Sequence, residues 1–352
     1  MARILLIATA ASSFVQQDAE SLREKHRVKL LVFRSYPKWK ALFEFIRHKI
    51  ILLFTIHRYQ LIICQFAGYH SFLPVFFGKL FRIPVLIICG GTESVSFPSI
   101  RYGNFHKKLL GWFTAYSLCN ADHLAPKHPS LIDYDYTYDA SQPPRQGIKA
   151  FIRNFNTPFT IIPNGYNSGV FYPSGIKTPS SFLTVAAGME LPFTIPLKGI
   201  DLILKVAPLF SEAVFTIAGS PENHSLPESA TNIKWACIKD KDHLLQLYQS
   251  HAFYLQVSMS EGFPNAVCEA MLCGCIPITS DVNALPDIVG DSGFMIHHRS
   301  ADELYHAICL ALSCDKKMLS EKARKRIVEF FPLSARKENL LKLAEDLMQL
   351  KS

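Results

Sequence analysis

Short apolar segments alternate with amphipathic segments along almost the whole chain, and this alternation restricts the fold more than any other feature of the sequence. In the first half, the apolar segments predict strands at 4–8, 29–33, 61–66, 84–89, 123–125 and 160–162. Most neighbouring strands are separated by a helical pattern, and strands joined through helices run parallel. Because a parallel sheet needs helices on both faces, the sequence predicts an α/β fold.

A second alternation follows a stretch at 172–181 that is rich in proline, glycine and serine. Strands are predicted there at 182–186, 214–218, 233–237, 253–257 and 276–279. The predicted helices include 199–209, 242–249, 265–273 and 301–312. The change in composition at 172–181 predicts a boundary between two domains. The periodicity of 332–350 predicts a final helix.

The bulk composition agrees with two folded domains in a reducing compartment. The chain has 352 residues, 49% of them hydrophobic, which is enough for two buried cores. Its nine cysteines are an odd number and lie mostly in apolar runs, as expected for reduced core residues of a cytosolic protein. Cys273 and Cys275 lack a second pair of ligands at zinc spacing, so no metal site is predicted there.

The formal net charge of +8 is concentrated in the first sixty residues. This excess indicates either a solvated basic surface or a surface that faces anionic lipid or a pyrophosphate-linked acceptor. Nucleic acid is not expected, because no nucleic-acid-binding motif is found. The segment 38–54 is basic, aromatic and amphipathic, so it is either an ordinary helix packed on the sheet or a helix at a membrane interface. Any membrane attachment would be peripheral.

The stretch 258–280 contains the strongest candidate binding site. Glu261 and Glu269 lie on either side of a Gly-Phe-Pro-Asn turn at 262–265 that begins a predicted helix. Asn265 can cap this helix, or Pro264 can occupy its first turn. The unpaired N–H groups of a helix start suit an anion, and carboxylates accept hydrogen bonds from hydroxyls. The stretch can therefore hold a hydroxylated, phosphorylated ligand.

This stretch resembles the retaining nucleotide-sugar glycosyltransferases of the GT4 family, through Glu-Gly-Phe-Pro-Asn, Glu-Ala-Met and Gly-Cys-Ile-Pro-Ile. Further matches are Ile-Ile-Pro-Asn-Gly-Tyr-Asn at 161–167 with Phe-Tyr-Pro at 171–173, Lys-Gly-Ile-Asp-Leu at 198–202 and Ala-Asp-His-Leu at 121–124. The resemblance implies a GT-B fold, in which two Rossmann-like parallel-sheet domains face each other across a cleft. It divides the chain into an acceptor domain (1–172), a nucleotide-sugar domain (173–331) and a C-terminal helix (332–352) that crosses back to the first domain.

The resemblance also assigns roles on the donor side. Glu269 is expected to accept the ribose hydroxyls, Glu261 to contact the donor sugar, and Lys198 to stabilise the departing diphosphate. The remaining donor-binding residues are Gly188, Ile238, Gly262, Phe263, Pro264 and Asn265. No cofactor, metal or enzyme nucleophile is expected. Asp133 and Asp135 match a metal-binding Asp-x-Asp pattern, but they lie in a tyrosine-rich segment that we interpret as a loop.

The acceptor side is predicted at Cys-Gly-Gly-Thr-Glu, 89–93, which follows a strand. Glu93 either orients the acceptor hydroxyl or the sugar, as a third catalytic residue, or belongs to a purely structural loop. The glycines allow close approach of a ligand, and Glu93 and Thr92 are expected to point into the cleft. The predicted acceptor-binding residues are Gly91, Thr92, Tyr102 and His106.

One residue departs from the family pattern. Met189 stands where relatives usually have an arginine that meets the diphosphate. The resemblance predicts a retaining glycosyltransferase of polysaccharide or lipid-linked glycan synthesis, located in the cytoplasm or at the inner face of the membrane. Met189 motivates an alternative, a catalytically weak or silent protein that binds a sugar nucleotide or glycan. A nucleotide-sugar epimerase or hydrolase is a third option.

Overall fold

The structure, a computed structural model, describes residues 1–33, 38–219 and 230–349, with the backbone alone for 38–41. The predicted position 350 of the final helix and Arg34 of the basic region lie outside these residues. The described chain forms two compact units. Unit 1 comprises 1–135, 145–163 and the chain from 334 onward, and unit 2 comprises 136–144 and 164–333. The domain limits read from the sequence stay a prediction.

Unit 1 is built on a five-stranded parallel sheet with the order β2-β1-β3-β4-β5. Its strands are β1 (Arg3–Ala8), β2 (Arg27–Val32), β3 (Leu61–Gln65), β4 (Val85–Cys89) and β5 (His123–Pro126). The helices are α1 (Ser13–Arg23), α2 (Lys38–Thr55), α3 (Tyr69–Phe81), α4 (Lys108–Asn120) and α5 (Ile148–Phe151). A small antiparallel ribbon joins β6 (Tyr134–Asp135) to β7 (Arg145–Gln146).

Unit 2 is built on a six-stranded parallel sheet with the order β10-β9-β8-β11-β12-β13. Its strands are β8 (Thr178–Val185), β9 (Val214–Ala218), β10 (Ile233–Ala236), β11 (His251–Gln256), β12 (Ile276–Ser280) and β13 (Phe294–Ile296). Its helices are α6 (Thr194–Leu197), α7 (Ile200–Val206), α8 (Lys241–Ser250), α9 (Asn265–Leu272), α10 (Leu285–Val289), α11 (Ala301–Ser313) and α12 (Lys316–Phe330).

The last helix, α13 (Leu333–Gln349), returns to unit 1 and completes its core. Leu340, Ala344 and Leu347 pack with α1 against one face of the β1–β5 sheet. Arg336 of α13 binds both carboxylate oxygens of Asp18 on α1, at 2.8 and 2.7 Å. The other face of this sheet is covered by α2, α3 and α4. The predicted return of the C-terminal helix to the first sheet is confirmed.

Three local predictions are corrected. Residues 160–162 donate hydrogen bonds to β5 through Thr160 and Ile162, but they make no continuous ladder and are not a strand. The helix predicted at 199–209 ends at Val206 and continues as a 3-10 turn, Ala207–Leu209, because Pro208 cannot donate a helical hydrogen bond. The segment interpreted as a loop contains the two-residue strand β6. Other 3-10 turns lie at Ile56–Arg58, Thr92–Ser94, Pro98–Ile100, Asn104–His106 and Pro129–Leu131.

Each sheet has one point at which the strand order reverses direction along the chain. In unit 1 this point lies between β1 and β3, and in unit 2 it lies between β8 and β11. Loops leave such neighbouring strands in opposite directions, which opens a crevice at their carboxyl ends, and open α/β sheets bind ligands there. The loop after β11 carries Glu261 and the loop after β8 carries Gly188. Glu261 and Gly188 therefore lie on loops at the switch point of unit 2, whereas Ile238 follows the edge strand β10.

Candidate functional site

Lys198 and Glu261 form an ion pair in unit 2. The Lys198 Nζ donates to Glu261 Oε1 at 2.6 Å, although 63 positions separate the two residues along the chain. Both side chains keep some contact with solvent, 24% exposed for Lys198 and 10% for Glu261. A partly exposed ion pair of this kind can exchange its internal hydrogen bond for bonds to a ligand. The lysine can donate to phosphate oxygens, and the carboxylate can accept from hydroxyls.

The backbone around Lys198 is fixed by close packing against the end of β11. Gly199 has a φ of +67°, and a Cβ built there would lie 2.1 Å from the carbonyl oxygen of Val257. Only glycine tolerates both the left-handed backbone and the close approach. The amide of Met259 also donates to the carbonyl of Leu197 at 2.8 Å. These contacts hold Lys198 beside the loop that carries Glu261.

Glu261 is held by three polar neighbours besides Lys198. Its Oε1 accepts from Gln256 Nε2 at 2.8 Å and from the Ser258 hydroxyl at 2.9 Å. Its backbone amide donates to Asn283 Oδ1 at 3.0 Å. The hydrogen bonds orient the carboxylate before any ligand arrives, which lowers the cost of organising a binding site.

The Gly-Phe-Pro-Asn turn is anchored by the Pro-Asn-Gly-Tyr motif. Asn164 Nδ2 donates to the carbonyl of Phe263 at 3.1 Å and to Asn265 Oδ1 at 2.8 Å, and the Tyr166 hydroxyl donates to the same Oδ1 at 2.9 Å. The capping expectation is therefore corrected. Pro264 is the N-cap, and Asn265 is the first residue of α9. Asn265 makes no cap because Asn164 and Tyr166 occupy its side-chain oxygen.

Glu269 lies about one turn into α9, in an environment that disfavours its charge. Burial raises the pKa of its carboxyl to about 7. A hydrogen bond from the Tyr248 hydroxyl to Oε2 at 3.1 Å and the charge of Lys241 oppose this rise in pKa. Further hydrogen-bond donors, such as sugar hydroxyls, would favour the ionised form.

The remaining donor-side predictions lie on the same edge of the sheet. Gly188 follows β8 with a φ of +77°, and its carbonyl accepts from the Thr194 hydroxyl at 2.5 Å. Met189 is 4% exposed, so its side chain belongs to the core. Ile238 follows the edge strand β10 and is partly exposed.

Sequence reasoning missed an arginine close to Lys198. Arg299 Nη2 donates to Asp201 Oδ2 at 2.6 Å and lies 3.4 Å from the carbonyl oxygen of Pro196. It follows β13, a three-residue strand that was not predicted. Its position after a strand at the carboxyl edge of the sheet is the only signal that could have identified it.

In unit 1, the Glu93 carboxylate points back toward the backbone of the loop that carries it. Its carboxylate accepts from the amides of Gly90 and Gly91 at 2.5 and 3.2 Å, and the residue is 1% exposed. Burial raises the pKa of this carboxyl above its usual range. Glu93 thus does not point outward as expected. Direct contact with a reacting group would require it to leave both amides, so its catalytic role stays a prediction.

The other acceptor-side residues are only partly brought together. The Thr92 hydroxyl lies 3.5 Å from the Tyr102 hydroxyl, and Tyr102 pairs through its backbone with Phe97. His106 ends a separate 3-10 turn and is partly exposed. Gly91 contributes its amide to Glu93.

Lys127 is a buried cation that sequence reasoning also missed. It follows β5, is 4% exposed, and its Nζ lies 4.4 Å from the centroid of the Phe14 ring. Burial lowers the pKa of its amine to about 7; repulsion from Arg336 adds to this effect, and attraction to Asp18 and Glu93 opposes it. Its place directly after a predicted strand was the available signal.

The Asp-x-Asp segment is engaged by a basic side chain. Arg145 Nη2 donates to Asp133 Oδ1 at 2.7 Å, and its Nε lies 3.6 Å from Asp135 Oδ1. Within the ranges that the structure describes, no group of three or more histidine, cysteine, aspartate or glutamate side chains could hold a metal ion.

The sequence family described as glycosyl transferases group 1 matches residues 185–314, from the last residue of β8 to the residue after α11. The region contains Lys198, Glu261 and Glu269. A curated relative is a phosphatidylinositol N-acetylglucosaminyltransferase subunit of Arabidopsis thaliana. It is 22% identical over 251 residues, which are 64% of this chain and 54% of the relative. The chain spans about half the length of the curated relatives it matches first.

Solved structures match over nearly the whole chain. The sucrose-phosphate synthase of Thermosynechococcus elongatus has a TM-score of 0.76 at 16% identity, over 99% of this chain and all of that one. HepE of Anabaena, in complex with UDP-glucose, has a TM-score of 0.72 at 13% identity, over 98% of this chain and all of that one. Together the matches confirm the predicted resemblance to group 1 glycosyltransferases and the GT-B class of fold.

None of the helices in the described parts of the chain is both long enough and apolar enough to cross a membrane.

Proposed function

Because residues 185–314 carry the group 1 glycosyl transferase match, we propose that the chain transfers a sugar from a nucleotide-sugar donor to an acceptor hydroxyl. We propose retention of the anomeric configuration and a role in polysaccharide or lipid-linked glycan synthesis. The observation that carries this proposal is the Lys198–Glu261 pair, 2.6 Å apart at the switch point of unit 2. It presents a cation for the diphosphate and a carboxylate for the hydroxyls.

The proposed chemistry assigns one task to each charged group. Lys198 would stabilise negative charge that develops on the departing diphosphate, and such preorganised charge often contributes more to catalysis than any other effect. Glu261 would accept hydroxyls of the donor sugar, and Glu269 would accept the ribose hydroxyls. The N–H groups at the start of α9 suit phosphate oxygens. Since Lys198 supplies the charge, we propose a metal-independent reaction.

The acceptor contacts and the location of the protein are also proposed from the resemblance. Gly91, Thr92, Tyr102 and His106 on unit 1 are the proposed acceptor contacts, for a glycan or a lipid-linked glycan. The proposed location is the cytoplasm or the inner face of the membrane. The solved neighbour with UDP-glucose and the curated relative named for N-acetylglucosamine transfer make UDP-sugars the first donors to test.

One observation favours a second candidate, a protein that binds a sugar nucleotide or glycan without efficient transfer. Met189 replaces the arginine usual in relatives, and its side chain is buried in the core of unit 2. Arg299, the other cation beside the Lys198 segment, is already paired with Asp201. Among the side chains assigned to the donor site, Lys198 would then be the one cation for the diphosphate.

A donor panel separates the two candidates. The full chain is incubated with UDP-glucose, UDP-N-acetylglucosamine or GDP-mannose and a mixture of glycolipid acceptors, and released nucleoside diphosphate is measured. Transfer predicts acceptor-dependent release that falls about 100-fold or more in Glu261→Gln and Lys198→Met. The anomeric configuration of the product then tests retention.

The matched control is Glu329→Gln, which removes a carboxylate from the surface pair with Lys325, 3.6 Å apart. This variant should transfer like the unmodified chain. Binding of a donor without any release favours the silent candidate. Release without acceptor, giving free sugar, identifies a hydrolase.

A further inference from the structure

The outer side of the α2–α3–α4 layer in unit 1 is apolar where a water-facing helix layer is normally polar. The inner sides of these helices pack on the β1–β5 sheet. The outer sides expose large hydrophobic side chains from all three helices, and we call this surface the apolar face. Its main members are Phe43, Ile50, Phe54, Phe76, Leu80 and Trp112. Exposed apolar patches that extend over several elements usually mark interaction sites.

Aromatic contacts make the apolar face continuous from helix to helix. The Phe72 ring of α3 lies 6.2 Å from Phe45 of α2 and 5.8 Å from Trp112 of α4, measured between centroids. It also lies 6.3 Å from Phe76, one turn further along α3. A ridge of rings therefore crosses the layer, with exposed Phe76 and Trp112 at its outer edge.

The charges carried by the helices of the layer are almost all of one sign. The ranges 42–60, 69–82 and 107–120, which cover the described side chains of the layer, contain a single carboxylate, Glu44. This carboxylate is buried and bonded to Arg47 at 2.6 Å. The exposed cations of the same ranges are Lys49, Arg58, Lys79, Arg82, Lys107 and Lys108.

We propose that the apolar face docks unit 1 on an anionic lipid bilayer. Phenylalanine and tryptophan side chains favour the boundary between headgroups and acyl chains, and lysine and arginine side chains attract anionic headgroups. A basic, aromatic layer lying in the interface plane matches both requirements. A second copy of this chain is a poor occupant, because two such faces would bring like charges together.

The docking proposal does not depend on the proposed transfer chemistry. It uses none of the residues of the donor site, all of which lie in unit 2. The sequence indicated only the segment 38–54 as a candidate interfacial helix, and left open whether it was an ordinary surface helix. The structure adds α3 and α4 to the same apolar layer, and the lack of exposed carboxylates among the described side chains of the three helices is apparent only when the helices are considered together.

Vesicle flotation tests the proposal directly. The full chain is mixed with vesicles of phosphatidylcholine alone or of phosphatidylcholine with about one-third phosphatidylglycerol. Flotation is expected only with the anionic vesicles and should fall steeply at ~0.5 M salt, since salt screens the attraction between basic side chains and anionic headgroups. Equal flotation with both vesicle types, or none with either, would overturn the proposal.

Two double variants separate the apolar and basic contributions. Phe43→Ser with Phe54→Ser, and Lys49→Glu with Lys108→Glu, should each weaken vesicle binding about tenfold or more. The matched controls in unit 2 are Leu209→Ser, which is 65% exposed against 64% for Phe43, and Lys325→Glu. Both controls should bind vesicles like the unmodified chain. If the controls lose binding as much as the face variants, the assigned surface is wrong.

The fluorescence of Trp112 reports on docking while the apolar side chain of Trp112 itself is kept. With Trp39 and Trp235 replaced by phenylalanine, Trp112 is the only tryptophan of the 352 residues. Its emission should shift to shorter wavelength with anionic vesicles and should be quenched by brominated acyl chains. An unchanged spectrum in the presence of bound vesicles would contradict the proposal. Self-association that is lost in the phenylalanine double variant would instead identify a second copy as the occupant.

Discussion

The two units use the same parallel-sheet architecture, but one unit holds a partly exposed charged pair at its candidate site and the other holds a buried charged pair in its core. In unit 2, Lys198 and Glu261 form a pair that keeps part of each side chain in solvent. In unit 1, the Asp18–Arg336 pair is almost fully buried and accompanies Glu93 and Lys127, which are also buried. Only the first arrangement leaves charged atoms within reach of a ligand.

The difference follows from what holds each charge. Both carboxylate oxygens of Asp18 accept hydrogen bonds from Arg336, and one of them also accepts from Gln65 Nε2 at 2.6 Å. These bonds to neighbouring side chains satisfy the buried carboxylate within the fold. Buried charges need such partners, because an unpaired one costs several kcal/mol. The Lys198 side chain is 24% exposed, so its ammonium group stays in contact with solvent while it bonds to Glu261 at 2.6 Å. We infer that the Asp18–Arg336 pair serves cohesion and that the Lys198–Glu261 pair serves recognition.

The largest expected effect concerns the backbone that presents Lys198. Gly199→Ala should lower the free energy of unfolding by about 3 kcal/mol, because the new Cβ meets the Val257 carbonyl and the backbone is left-handed. Denaturant unfolding measures the change. Gly175→Ala is the control, since Gly175 has a similar φ of +68° but open space around it. Equal losses would show that backbone conformation, and not the contact with β11, limits this position.

A smaller effect is expected from the buried amine of unit 1. The pKa of Lys127 is lowered from 10.5 to about 7 in the folded chain, so its charge destabilises the fold increasingly as the pH falls from about 10 to 7. Lys127→Met should therefore stabilise the protein by on the order of 2 kcal/mol at pH 7 and by less at pH 10.

Thermal unfolding across that pH range measures the effect of Lys127→Met. The exposed Lys325→Met serves as control and should show no such trend. Destabilisation by Lys127→Met at neutral pH would mean that this amine holds unit 1 together more strongly than its burial suggests.

The smallest expected effect on stability is at Glu269, whose carboxyl is buried and is also a proposed contact of the donor. The pKa of its carboxyl is raised from 4.5 to about 7, so its contribution to stability is complete below pH 4.5 and is lost as the pH rises through 7. Glu269→Gln should be about 1 kcal/mol more stable than the unmodified chain at pH 8 and no more stable at pH 4.5. The same variant should bind nucleotide-sugar more weakly. If Glu269→Gln were both more stable and a tighter binder of nucleotide-sugar, the assignment of Glu269 to the donor site would be wrong.

Much of the fold could be predicted from local pattern. The apolar runs at 4–8 and 214–218 became β1 and β9, because a run of that length bounded by helical patterns fits a buried parallel strand. Short or interrupted elements were predicted poorly. The three-residue strand β13 was missed, and residues 160–162 were predicted as a strand although they hydrogen-bond to β5 without a regular ladder.

The part of the candidate site whose residues lie close together in one sequence motif could be predicted. Glu261, the turn and Glu269 all belong to 261–269, and their order along the chain is enough to place them at one helix start. Contacts between distant positions could not be read from the sequence. The anchoring of Asn265 by Asn164, and the burial of Lys127 against Phe14, arise only when the sheet brings these residues together.

Donor binding measured on two glutamate variants tests the central claim most directly. Isothermal titration with UDP-glucose, UDP-N-acetylglucosamine and GDP-mannose gives the dissociation constant of the preferred donor for the unmodified chain, Glu261→Gln and Glu93→Gln. The account predicts at least about tenfold weaker binding in Glu261→Gln, which loses one charge of the partly exposed Lys198–Glu261 pair, and less than about threefold in Glu93→Gln. Equal weakening in the two variants, or a loss confined to Glu93→Gln, would contradict it.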